Sequence, residues 1–568
     1  MGLRSFFQVL TPCLFLFVCS VVEVAKPRAA IAAEEVRLLV GGPIILSVSV
    51  DSLVTFAETG EVAEDLRLFM RFANEEASAG FRQALQSSVP LTVQQVGNLG
   101  YSDLGQDILF NVGKVIRPHP SINGDRALRA AVISAAADTR DGDPAQWTPL
   151  DVLEHYPSKT VDVRLQDLQE IRRFITAYMR ERDRAIAAIR TQAALETSQT
   201  TASQSSLTKD LSAPGPYAFE KSTLTLSRAA ERQTRSGLQA SYRFNVDTYL
   251  PQGLNAPAPV VIVSHGFSDT KESFGNIGRH LASHGFVVLI PEHVGSDLKF
   301  RLDYTEGRLK TAIAPSEFVS RAEEISYLID WLETSASTSP NWAAQVDLSR
   351  IGLMGHSMGA ATAYSLAGAS LNFEHLAENC ESPSIHLNPA FYLQCQTRFL
   401  PAQPYALKDP RIKAILSANG VGSVLYAPES LSQIEVPILM AAAADDVVAP
   451  TLIEQIRPFV QIGSEEKYLA VMSNASHFSF ISKEDSEIIS PLNQPGAEAL
   501  ANLVLGGHRE IGAEYLEALN LAFWKVQLDG EAEYLPYLSD RYAQQLSADQ
   551  IPQLTVVREL QPEEITKN

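Results

Sequence analysis

From Pro259 onward, short runs of apolar residues recur along the chain with helical stretches between them. The runs are Pro259–Ser264, Phe286–Ile290, Arg350–Met354, Ile412–Leu416, Val436–Met440 and Lys467–Val471. An apolar run without polar alternation predicts a strand buried on both faces, and a series of them separated by helices such as Phe318–Leu332 predicts a mostly parallel sheet. The fold class is α/β. The preceding part of the chain has a different pattern. Val36–Val40 and Ile44–Val50 flank Gly41-Gly42-Pro43 and predict a hairpin. Leu66, Phe69, Met70 and Phe72 then recur at helical spacing, and Ala127–Ala137 is rich in Ala. A long amphipathic helix is expected over Leu165–Leu195, with charges interleaved among Leu168, Ile171, Phe174, Ile175 and Met179. Thr197–Ser206 is polar and aperiodic, as linkers are. The pattern divides the chain into a mainly helical domain over 34–195, a linker over 196–214 and an α/β domain over 215–568.

The first 33 residues stand apart. Arg4 precedes an apolar run, Phe6–Val22, and small residues close the segment at Ala29-Ala30-Ile31-Ala32-Ala33. This is the layout of a cleavable export signal, cut after Ala32 or Ala33. The other reading is an uncleaved anchor, since the run approaches spanning length. Removal of the signal would take Cys13 and Cys19 with it and leave Cys380 and Cys395. In an oxidising compartment those two could close a small loop; the alternative is a pair of buried thiols. The net charge of −20 excludes a phosphate-binding surface, and with it nucleic acid as a partner. Once the signal is removed, no segment is long and apolar enough to span a bilayer. A periplasmic or extracellular protein acting on a neutral or apolar small molecule fits these features; oligomeric state is not indicated.

Chemistry concentrates in the α/β domain. Gly355-His356-Ser357-Met358-Gly359 follows the run ending at Met354 and precedes a small-residue helix. Such a strand–Ser–helix turn exposes the hydroxyl, and Gly on either side permits the close backbone approach. Ser357 is therefore the expected nucleophile. A Ser hydroxyl needs a base, and the base needs an orienting acid; the chain order for this architecture is Ser, acid, His. His477 follows the last run, and Ala444-Asp445-Asp446 follows the run at Val436. Asp446 is preferred as the acid because Pro450 stands four positions on, with Asp445 as its competitor. His265, His284, His293, His356 and His386 do not fit the order, and His119 and His155 read as surface or packing residues. Oxyanion donors are expected from the amides of Met358 and, in the loop after Ser264, of Phe267.

At Val263–Phe267, Gly355–Gly359, Asp446 and His477 the chain resembles the platelet-activating-factor acetylhydrolase-like and dienelactone-hydrolase-like branch of the α/β-hydrolases. His280–Val288 is similar to those families and to bacterial polyester hydrolases. Dienelactone hydrolases use Cys where this chain has Ser357. Residues 34–165 resemble, more distantly, a helical domain of unknown function found ahead of some bacterial hydrolases. The resemblance implies two-step acyl transfer through a Ser-His-Asp triad, on a carboxylic ester of short-acyl or polyester type, with no cofactor. No metal-ligand spacing occurs. Two alternatives remain at this point, an amide or peptide hydrolase with the same triad and a non-catalytic binding protein. A long insertion over 368–410 carries Phe373, Phe391, Tyr392, Phe399 and Tyr405, and reads either as a lid or as a packed excursion.

Overall fold

The computed structural model describes residues 32–566 apart from 42–43, 72–73, 90, 139–146, 200–206, 339–344, 382–387 and 483–503. The expected signal lies almost wholly outside the described residues, as do His386, the hairpin turn at Gly42-Pro43 and part of the polar stretch. The chain divides into two compact units, one running to Val93 and resuming over Gln106–Gln169, the other formed by Gln94–Gly105 with Glu170–Asn568.

In the first unit β1 (Glu35–Gly41) and β2 (Ile44–Ser49) pair antiparallel, as the hairpin pattern predicts. Two short strands, β3 (Ile116–Arg117) and β4 (Thr160–Arg164), complete a sheet ordered β2-β1-β4-β3. Helices make up most of the rest. Ser49 caps the helix Val50–Thr59 by accepting from the Ser52 N–H, satisfying one of the donors a helix start leaves over. Two small cores form, one around Ala131, Tyr156 and Val161, the other around Leu53, Phe56 and Leu66. His155 is tied locally to the Asp151 carbonyl, 2.8 Å, and lies 3.2 Å from Asp138.

The second unit is built on β5 (Phe219–Arg228), the small hairpin β6 (Arg232–Thr234) and β7 (Gly237–Gln239), β8 (Tyr242–Pro251), β9 (Ala258–Ser264), β10 (Val287–Pro291), β11 (Val346–His356), β12 (Ile412–Ala418), β13 (Ile438–Ala443), β14 (Lys467–Met472) and β15 (Leu554–Val557). Nine of these form one sheet, ordered β15-β14-β13-β12-β11-β9-β10-β8-β5. The six central strands, β9 to β14, are parallel; β8 and β15 run antiparallel to them, and β5 pairs antiparallel with β8 at the edge. The apolar runs predict the six, and β15 extends the sheet one strand beyond Lys467–Val471. β5 escapes that pattern because it alternates, one face of Phe219–Arg228 being mostly exposed.

Each parallel strand feeds two cores. Val260 and Ile262 of β9 face one side with Val287 and Leu289, while Val261 and Val263 face the other with Val288 and Ile290. This is the period of two expected of a strand covered on both faces. The helices Glu317–Thr338 and Met358–Ala367 cover the first side; Gly275–Ser283 and Arg509–Gln527 cover the second. Ala185, Ile189 and Ala193 of the helix Leu165–Gln199 are buried in the first of these cores. The division between units accordingly falls inside that helix, ahead of the polar stretch 196–214. No helix among the described residues is long and apolar enough to cross a membrane.

The chain passes from β10 back across β9 to β11, so the order reverses between β9 and β11. In open α/β sheets a crevice forms beyond the carboxyl ends of the strands at such a reversal. Ser264–Ser268 leaves β9 on one side of it, and Ser357 leaves β11 on the other.

Candidate active site

Ser357 occupies the turn between β11 and the helix Met358–Ala367, with φ 53° and ψ −117°. A positive φ is strained for a residue with a side chain and persists only when its surroundings impose it. Here the Ser357 N–H donates to Ala418 O at 2.9 Å, and the Ser357 carbonyl accepts from Ala360 at 3.0 Å and Val421 at 3.3 Å. The flanking glycines have no room for a side chain. A Cβ on Gly355 would lie 2.1 Å from Gly359 O, and one on Gly359 would lie 2.0 Å from Ser264 O.

His477 follows β14 and Asp446 follows β13. His477 Nδ1 and Asp446 Oδ2 are 2.7 Å apart, with both side chains buried. The other Asp446 oxygen accepts from the Val448 and Ala449 N–H groups, both at 2.8 Å. With Nδ1–H donated to the carboxylate, Nε2 carries the lone pair, the tautomer a general base needs. Asp445 has a different environment: its side chain is 47% exposed and pairs with Arg182 at 2.8 Å.

The backbone of His477 is held as firmly as its ring. Its carbonyl accepts from Asn419 Nδ2 at 2.7 Å and His356 Nε2 at 3.0 Å. Asn419 is the residue after Ala418, on which the Ser357 amide is anchored, and its Oδ1 accepts from the Ala443 N–H at 2.8 Å. At the end of β12 the Asn419 side chain therefore ties together the ends of β13 and β14, and the neighbouring Ala418 carbonyl holds the end of β11. Burial holds His356 down to about 3, with His477 nearby adding to the effect, so its imidazole is neutral. The Ser357 hydroxyl has no hydrogen-bond partner among the described residues; contacts of this kind commonly close only when substrate is bound.

The loop after β9 passes beside Ser357: a Cβ on Gly266 would lie 3.3 Å from Ser357 Cβ. Neither Phe267 N–H nor Met358 N–H has a partner among the described residues. The latter opens a helix, where free amides favour negative charge. Beneath the loop lies a group of fully buried polar side chains. Glu317 pairs with Arg232 at 2.7 Å, Glu324 with His293 Nδ1 at 2.6 Å, and His293 Nε2 with Ser264 Oγ at 2.9 Å. Arg321 lies among them. Burial pushes Arg321 down to about 10, which leaves it charged, and holds His265 and His293 well below 6.5, which leaves them neutral. Arg232 and Arg321 thus face the carboxyl groups of Glu317 and Glu324 in the interior, where burial raises Glu324. None of these residues stands out in the sequence except His265 and His293, which sequence reasoning set aside as bases. His284 binds the Ala213 carbonyl at 3.0 Å.

The insertion over 368–410 is pinned on both sides of its undescribed part. Cys380 and Cys395 form a disulfide with Cα atoms 5.7 Å apart. Asn388 and Gln394 donate to Glu454 at 2.8 and 3.0 Å, and the Ala390 N–H donates to Val448 O at 3.1 Å. Glu454 also accepts from the amides of Gly422 and Ser423. Phe391 is buried, and beside it lies a cavity of about 400 Å³ lined by Phe174, Tyr178, Val424 and Ile453 among others. Phe399 is exposed.

Two family models match the chain. One, described as alpha/beta hydrolase of unknown function (DUF1400), covers residues 32–164; the other, chlorophyllase, covers 253–377 and so includes the Gly266–Phe267 loop and Ser357. Among curated relatives, a chloroplastic chlorophyllase of Citrus unshiu is 25% identical over 165 residues, 27% of this chain and 45% of the relative. A cutinase of Thermobifida alba is 32% identical over 119 residues, 21% and 33% of the two chains, and the platelet-activating factor acetylhydrolase of Cavia porcellus 29% over 132 residues, 18% and 30%. The chain thus spans less than half the length of each of these relatives. Strand order, the turn at Ser357 and these matches agree: the chain is an α/β-hydrolase.

Proposed function

We propose that the chain is a serine hydrolase of carboxylic esters, with Ser357 as nucleophile, His477 as base and Asp446 as the acid that orients it. The observation that carries the reading is the 2.7 Å contact of His477 with Asp446, on a frame that shares Asn419 and Ala418 with the Ser357 turn. Relatives named chlorophyllase, cutinase and acetylhydrolase are carboxylic ester hydrolases, which favours an ester as the substrate.

In this mechanism Ser357 Oγ attacks the ester carbonyl and His477 Nε2 takes its proton, Asp446 stabilising the imidazolium that forms. The amides of Phe267 and Met358 receive the oxyanion. The proton then passes to the leaving alcohol, and water repeats the sequence on the acyl-enzyme. Export of the protein is part of the reading, since a disulfide between Cys380 and Cys395 fits an oxidising compartment. Ala33 is buried and its N–H donates to Leu153 O, which favours cleavage after Ala32.

The test is turnover of p-nitrophenyl butyrate by the wild type and Ser357→Ala, with a fluorophosphonate label mapped by mass spectrometry. Loss of the nucleophile is expected to cost on the order of 10⁶-fold in kcat, and the label is expected on Ser357 alone. Unchanged turnover in Ser357→Ala, or a label elsewhere, overturns the assignment. Faster cleavage of a matched anilide than of the ester would move the substrate class to amides.

A further inference from the structure

The buried guanidinium of Arg321 has no part in the reaction scheme, yet all its hydrogen bonds go to the loop that carries Phe267 and to one neighbour of it. Nη1 donates to the His265 carbonyl at 2.5 Å and Nη2 to the Gly266 carbonyl at 3.1 Å. Nε and Nη2 also donate to Ser296 Oγ, at 2.9 and 2.8 Å, and that hydroxyl in turn donates to Glu317. The Gly266 carbonyl receives a second donor. The His293 N–H donates to His265 Nε2 at 3.0 Å, so His265 must carry its proton on Nδ1, and Nδ1 lies 2.8 Å from Gly266 O.

The Gly266 carbonyl and the Phe267 N–H belong to one peptide group. That group is planar and trans, so its C=O and N–H point in opposite directions. Fixing the oxygen fixes the direction of the hydrogen. We propose that Arg321, with His265, positions the oxyanion hole: gripping Gly266 O aims the Phe267 N–H at the carbonyl oxygen of an ester bound to Ser357. The inference deepens the hydrolase reading and rests on it. A full positive charge at the oxygen end also polarises the peptide and makes its N–H a stronger donor. Gly266 sits within van der Waals reach of Ser357, as the 3.3 Å approach of a Cβ there indicates, so a small rotation of the peptide misdirects the donor. Arg321 itself cannot drift. It stands on the helix Glu317–Thr338, whose Ile325, Leu328, Ile329 and Leu332 are fully buried. Stability does not explain the arrangement, because burying an ion pair is often neutral or costly against apolar residues of the same size.

The test uses the full-length enzyme, with Arg321→Met, Arg321→Lys, His265→Asn and His265→Gln. Each is measured for kcat and KM on p-nitrophenyl butyrate and crystallised with and without a phosphonate on Ser357. Removing one oxyanion donor costs about 10²- to 10³-fold in kcat, and Arg321→Met is expected near the lower figure, ~10²-fold, with KM within ~3-fold. Arg321→Lys, which keeps the charge without the fork, should lie between. Asn retains a donor where Nδ1 stands and Gln does not, so His265→Gln should lose more than His265→Asn. The crystals should show the Gly266–Phe267 peptide rotated in Arg321→Met and in His265→Gln. If Arg321→Met does not fold, the order of the two His265 variants decides. Wild-type kcat in a folded Arg321→Met, an unmoved peptide, or no difference between the His265 variants overturns the proposal. Absence of wild-type turnover would overturn the hydrolase reading instead, and the peptide orientation in the crystals would still decide the role of Arg321.

Discussion

The two sides of Ser357 are held by opposite kinds of chemistry. Under the loop after β9, ionisable side chains do the holding: Arg321 and Arg232 against Glu317 and Glu324, all fully buried. Around His477 the hold is by neutral groups, the Asn419 amide and the uncharged His356 ring on one backbone carbonyl, with Asp446 as the one carboxylate bonded to the ring. The difference follows the charge that the proposed acyl transfer would create. Negative charge develops on the side of Phe267, where a cation stands behind the peptide. In that reaction positive charge would develop on His477, where a nearby cation would weaken the base, and the carboxylate of Asp446 bonded to its ring would support it.

The largest effect should come from removing that anion. Asp446→Asn leaves the shape but reverses the tautomer preference of His477, and a loss of ~10⁴-fold in kcat is expected. Asp445→Asn, made in parallel, should stay within ~3-fold, as surface changes away from such features usually do; equal losses in the two variants would break the comparison. Asn419→Ala comes next. It removes one of two donors to the His477 carbonyl and leaves the Ala443 N–H without its acceptor, at a position with φ 44° that Asn tolerates better than Ala. A stability loss of about 1–3 kcal/mol and a fall in kcat of ~10-fold, in the range of a displaced base, should appear in urea titrations and initial rates. A wild-type rate would mean that His356 alone suffices to hold the loop.

The smallest effect sharpens the charged side. Glu292, just beyond β10, is pushed up to about 8 by burial, with Asp297 and Glu272 adding to it. Its carboxyl is therefore protonated in the folded protein at neutral pH and ionised in the unfolded chain. Stability from this group falls as pH rises from the ordinary carboxylate range to about 8, then levels off. Glu292→Gln abolishes the dependence, so its Tm should exceed that of the wild type by about 2 °C more at pH 8 than at pH 5. A constant or shrinking gap would mean that an extra anion is tolerated beside His265, contrary to the layout described.

The sequence makes the proposed reacting residues legible and hides their supports, for a physical reason. The turn at Ser357 is local, and its glycines are required by contacts of 2.1 Å and 2.0 Å that any side chain would make. The proposal of Asp446 and His477 rests on chain order, and the structure distinguishes Asp445 from Asp446 by its exposure. Glu317, Arg321 and Glu324 are spaced i, i+4, i+7 on one helix, a stripe that ordinarily reads as solvent-facing ion pairs. Its partners come from elsewhere in the chain: Arg232 of β6, the His265 and Gly266 carbonyls after β9, and His293 and Ser296 after β10. Asn419 is equally mute: one amide at the end of an apolar run, significant because three other strands end beside it. The antiparallel edge strand β5 is missed because its alternation differs from the unbroken apolar runs of the sheet centre. The insertion is visible as an apolar excursion, but its anchoring on Glu454 depends on contacts 60 and more residues apart in the chain.

Because Ala418 and Asn419 fasten the segments bearing Ser357 and His477 from the centre of the sheet, the reacting geometry does not depend on how the chain travels between them. After His477 the chain returns to the same place: Val504 O accepts from Ser476 Oγ at 3.2 Å, and Gly506 and Gly512 pack against Ser479. Variation in what such a hydrolase accepts can thus accumulate in the connections, with the proton-transfer apparatus left as a fixed fitting.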